Sequence, residues 1–150
     1  MAQKQKLPGF YQKRKVLFGA KTTPQTMRET GRLLMDAGRH DDALELFERC
    51  AAEDLTRQIA AGAMSAGDVP LFMRAKKVLK EAITEEEWTR LAANAEKAGA
   101  YSMAYVAHLK AGHEEEALRL LPRGQEPEEA APKPSKEDRA TEDAGGKQAP

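Results

Sequence analysis

The chain has 150 residues, of which 41% are hydrophobic, 5% aromatic and 32% charged, and its formal net charge is zero. That composition describes one helical domain of ordinary size, rich in Ala, Glu, Lys and Arg, and argues against a β-sandwich. The longest weakly interrupted apolar stretch, Ile59 to Met64, is far shorter than the roughly 20 residues of a membrane-spanning helix.

The zero net charge hides an asymmetry. Residues 1–23 carry Lys4, Lys6, Lys13, Arg14, Lys15 and Lys21 and no acid, so this basic N-terminal arm has a net charge of +6. Residues 24–121 carry 13 bases against 17 acids, and residues 122–150 carry 5 against 7. The last segment holds five of the eight prolines and only alanine as an apolar side chain, which predicts a disordered Pro/Glu/Lys-rich tail. Gln3 to Gly9 has no apolar core, so a secretory leader is not expected. The single Cys50 has no internal disulfide partner and points to a reducing, cytoplasmic setting.

From Pro24 to Leu121 apolar residues recur at helical spacing and glycine punctuates them, which predicts short helices and no strand. Met27, Gly31, Leu34 and Ala37 line a first helix stopped by Gly38, and Ala43, Leu44, Phe47 and Cys50 line a second. A third is expected from Asp54 as N-cap through Ile59, Ala60 and Ala63 to Gly67. The fourth follows Asp68 and Pro70, with the stripe Leu71, Phe72, Ala75, Val78, Leu79, Ala82. Thr84 to Glu87 is a capping box opening the fifth, with Trp88, Leu91, Ala92 and Ala95 on one face. Tyr101 to Ala111 makes a sixth, and His113 begins a shorter seventh.

Ala-Gly recurs at 37–38, 66–67, 98–99 and 111–112, each time at the foot of a helix. The second helix of each pair repeats a small–large–small pattern: Ala43, Phe47, Cys50; Ala75, Leu79, Ala82; Ala104, His108, Ala111. Small residues there let two helix backbones approach while the larger one fills the gap to the next pair. With Trp88, Leu91, Ala92, Gly99, Tyr101, Ala104 and Ala111 in one unit, and Met27, Gly31, Gly38, Ala43, Phe47 and Cys50 in another, the chain resembles the tetratricopeptide repeats (TPR). Ala60 and Gly67 fit a middle unit, and His108 stands where an aromatic is usual. The resemblance implies an all-α fold: a short right-handed αα-superhelix of about three helix-turn-helix pairs over residues 24–121, plus a C-terminal capping helix.

It also implies a non-catalytic protein–protein interaction module, an adaptor, chaperone or assembly subunit, binding a partner segment in the concave face lined by the first helix of each pair. Arg28 and Arg32 lie four apart on the first of these, Arg57 takes the aligned place on the third helix, and Met35 and Met64 lie further along. Some members hold a peptide carboxylate with Lys and Asn at such places; Arg stands there here, with Thr89 and Ala93 in the third pair. A basic strip edged by thioethers suits a segment carrying carboxylates and apolar side chains.

The alternative function lies in the arm, where Phe10, Tyr11 and Phe18 interleave with Lys13, Arg14 and Lys15. That composition either binds nucleic acid, through Tyr11, Lys13, Arg14 and Lys15, or caps the first pair with Phe10, Val16, Leu17 and Phe18. Catalytic and metal-binding patterns are absent from the sequence. His113 to Ala117 lacks a second histidine one turn on, the glycines are isolated helix stops, and no cofactor is expected.

Overall fold

A computed structural model describes residues 7–121. The tail expected over 122–150 lies outside the described residues. Those described form eight α-helices and no strand: α1 (Phe10–Phe18), α2 (Pro24–Asp36), α3 (His40–Arg49), α4 (Glu53–Ala66), α5 (Val69–Leu79), α6 (Glu85–Lys97), α7 (Tyr101–Lys110) and α8 (Glu114–Arg119). Packing is strongest within α2–α3, α4–α5 and α6–α7, each a helix pair joined by a short turn; α8 packs on α7, and α1 on α2.

One backbone closure accounts for the recurrent Ala-Gly. Gly38, Gly67, Gly99 and Gly112 all have φ between 70° and 81°, the left-handed region that a side chain resists. The next N–H then reaches back five residues, Arg39 to Leu34, Asp68 to Ala63, Ala100 to Ala95 and His113 to His108, at 2.8–2.9 Å. Ala51 and Lys80 take the same conformation between pairs, where Ala52 N–H donates to Phe47 and Glu81 N–H to Lys76. Gly67 carries a second constraint: a Cβ there would stand 2.4 Å from the Ala95 backbone nitrogen, so its lack of side chain also sets the approach of α6.

Helix starts follow their capping residues. The Thr23 hydroxyl accepts from Thr26 N–H ahead of Pro24, and the Asp68 carboxylate accepts from Leu71 N–H. Thr84 and Glu87 satisfy each other's backbone N–H at 3.2 and 3.0 Å.

Three expectations are corrected. The helix expected to start at Asp54 begins at Glu53 after Ala52, and the Asp54 carboxylate pairs with Arg28 rather than capping. The fourth stripe ends at Leu79, because Lys80 turns left-handed and puts Ala82 in an exposed loop. The basic arm contains a helix, α1, in which Leu17 is buried and Val16 packs on the same core as the capping alternative expects, whereas Phe10 and Phe18 of that alternative are exposed.

That core runs continuously from Leu17 to Ala111. Ala43, Ala75 and Ala104, the first small position of each repeat, are 0% exposed, as close approach of helices requires, and Ala117 of α8 is equally buried. Phe47 and Leu91 are equally buried, and Trp88 and Phe72 nearly so. Truncating a ring such as Phe47 to alanine costs about 3–5 kcal/mol. No helix among the described residues is long and apolar enough to cross a membrane.

Candidate partner-binding site

Along α2 and α4 the exposed arc is set by helical periodicity, and Arg28 and Arg57 stand at its edges. Arg28 Nη1 donates to Asp54 Oδ1 at 2.9 Å and its second nitrogen pairs with Oδ2, a two-pronged bridge from α2 to α4. The Arg28 guanidinium holds the Asp54 carboxyl below its usual range. Arg32, one turn on, is exposed and forms no ion pair among the described residues. Two arginines that share a helix face thus differ in role: Arg28 ties two pairs together, while Arg32 faces water.

Arg57 is the start of a longer chain of charge. Its Nη1 lies 2.6 Å from Glu81 Oε1; Lys76 Nζ lies 3.1 Å from the other Glu81 oxygen and 2.7 Å from Glu87. Glu81 is held below the usual carboxyl range by Arg57 first and Lys76 second, and the bond to Glu87 raises the Lys76 ammonium. Glu87 also closes the capping box of α6, so the chain joins α4, α5 and α6.

Beside these groups opens a cleft of about 400 Å³ among α4, α5 and α6, lined by Met64, Phe72 and Leu79 with Arg57, Lys76, Arg90, Glu81 and Glu87 around them. Asn94 Nδ2 donates to the Met64 carbonyl at 2.7 Å and pins the two helices beside it. Arg90 forms no ion pair among the described residues. The repeat register passed over it, because the aligned place is Thr89. The signal that finds it is the exposed arc of α6, where Arg90 falls one turn before Asn94.

Of the five expected groove residues, the structure brings Arg57 and Met64 together at this cleft. Met35 instead lines a separate cleft of about 380 Å³ with His40, Gln58 and Ile59, on the other edge of α4. A third cleft, of about 570 Å³, is the most apolar and lies between α5 and α7, where Met73, Ile83, Met103 and Val106 meet.

The basic run of the arm is divided by the periodicity of α1. Lys13 turns inward to α3, 2.5 Å from Asp42 and 2.6 Å from Glu45, and is only 13% exposed. Asp42 is held below its usual range, by Lys13 above all and further by Arg39. Tyr11, Arg14 and Lys15 point to solvent. Cys50 is half-buried at the end of α3, where burial pushes its thiol up.

Comparison with known protein families, with curated proteins and with solved structures gave no match.

Proposed function

We propose that this protein is a non-catalytic protein-interaction module acting in the cytoplasm. Its pairs α2–α3, α4–α5 and α6–α7 are read as a right-handed TPR-like superhelix capped by α8, which receives a partner segment on the face of α2, α4 and α6. The observation that carries the reading is the α4–α6 cleft. Its lining is mixed: Met64, Phe72 and Leu79 supply an apolar floor with one flexible thioether, Glu81 and Glu87 are engaged by Arg57 and Lys76, and Arg90 forms no ion pair among the described residues. An extended or helical segment with apolar side chains and a carboxylate matches that lining. Arg32 extends the cationic strip along α2.

The test is affinity purification from the native cell with mass spectrometry. It compares the wild type with Arg32→Glu/Arg90→Glu and with Ala61→Trp, which fills the cleft from an exposed position. Arg28 and Arg57 are left intact because both hold helices together. A partner retained by the wild type and by a Glu114→Lys control, and released by both cleft variants, supports the reading. A partner set indifferent to both variants overturns it.

A further inference from the structure

Helix α1 has an outer face on which the domain itself makes little demand. Successive residues turn by about 100°, so Tyr11, Arg14, Lys15 and Phe18 share one side, while Lys13, Val16 and Leu17 meet the body. Tyr11 is 85% exposed and Phe18 62%. Phe10, 68% exposed, meets Tyr11 edge-on with ring centroids 5.8 Å apart. The Arg49 guanidinium lies 4.5 Å over the Phe18 ring and donates to the Leu17 carbonyl, which steadies that ring from α3. Arg14, Lys15 and Lys21 form no ion pair among the described residues, in contrast to Lys13 beside them. Three rings and three cations thus lie within twelve residues on the surface of one helix and the turn after it.

We propose that this face binds single-stranded nucleic acid, with bases stacked on Tyr11, Phe10 and Phe18 and phosphates on Arg14, Lys15 and Lys21. A single strand presents flat apolar bases and anionic phosphates in alternation, and this surface alternates rings and cations in the same way. A helix lying in a lipid interface separates an apolar face from a basic one, whereas here rings and bases occupy the same side of a nine-residue helix. The rest of the described domain has a net charge of −4 over 25–121, so the arm carries its main excess of positive charge. Tyr11 and Phe18 are two helical turns apart, about 10.5 Å along the axis, so they receive different nucleotides. This surface is independent of the α4–α6 cleft, and its failure would leave that reading untouched.

Binding of a short fluorescent oligothymidine by the full chain, followed by anisotropy, tests the proposal. With three phosphate contacts the affinity falls about 20-fold between roughly 50 and 200 mM salt. Tyr11→Ala/Phe18→Ala weakens binding at the lower salt by about tenfold or more and keeps the salt slope, and Tyr11→Trp retains binding. Arg14→Gln/Lys15→Gln flattens the slope. All substituted side chains are exposed, and circular dichroism checks that helicity is kept. Absence of binding at low salt, or an aromatic double variant that binds as wild type, overturns the proposal. So does binding of phosphatidylserine vesicles with none of the oligonucleotide.

Discussion

Gly31 of α2 lies directly against the ring of Phe47 on α3: a Cβ placed on Gly31 would stand 2.3 Å from Phe47 Cε1 and within 3.0 Å of two further ring atoms. The ring is 0% exposed, and although Phe47 borders a cleft of about 240 Å³ beside α5, moving away from a new Cβ would pull it out of its core contacts. Gly31→Ala gains about 1 kcal/mol of helix propensity but overpacks a full core at a cost of about 1–3 kcal/mol, so a net loss is expected. Gly62 is the control. It sits inside α4 with nothing within 4 Å of a built Cβ, so Gly62→Ala is expected to stabilise by about 0.5–1 kcal/mol. Urea midpoints read from the fluorescence of Trp88, the only tryptophan, check both signs.

Lys80 ends α5 with φ 57°, a conformation that costs a residue with a Cβ about 1–2 kcal/mol. Lys80→Gly is expected to raise the midpoint even though glycine adds freedom to the unfolded chain. Gly99→Ala, at φ 74° with open space around it, is expected to lower the midpoint through the same term.

Acid weakens the fold through Asp42, Asp54 and Glu81. Each is held below its ordinary value, 3.8 for the aspartates and 4.5 for the glutamate. A carboxyl whose folded pKa is depressed contributes stability that is complete above its unfolded value and is lost as pH falls through the folded one. The midpoint is therefore expected to hold steady from neutrality to about pH 5 and to decline below it. Asp42→Asn should reduce that decline while lowering the neutral-pH midpoint.

Lys13→Met tests the inner side of α1. It removes both ion pairs and leaves Asp42 with Arg39 alone. A loss of about 1 kcal/mol is expected, smaller in high salt, with the chevron change mainly in unfolding rate. An unchanged midpoint would show that the Leu17 and Val16 packing and the Arg49 and Arg39 contacts dock the helix without the ion pairs.

Seven of the eight helices were legible in the sequence because each has a physical stop or start that a linear reading detects: a left-handed glycine, the Thr84–Glu87 box, or Pro after Thr23 or Asp68. α1 was not, since its nine residues bury only Leu17 and its Gly9 start gives no side-chain cap. The end of α5 was misplaced because Lys80 does what glycine does in the other turns. Repeat alignment groups Arg57, Met64 and Met35, whereas the structure places only the first two at the α4–α6 cleft. The aligned place sits at the edge of its helix, and the two edges of α4 open on different clefts. The engagement of Lys13 with Asp42 and Glu45 depends on which carboxylates the turns bring near, and no periodicity encodes that.

The repeated closure of the turns has a kinetic consequence. Among the described residues no side-chain hydrogen bond joins partners more than 33 residues apart, the span from Arg74 to Asp41. Each helix finds its neighbours after closing a loop of about one repeat, at little chain-entropy cost, and no strand must wait for a distant partner. Such a chain assembles on the microsecond-to-millisecond scale typical of local topologies.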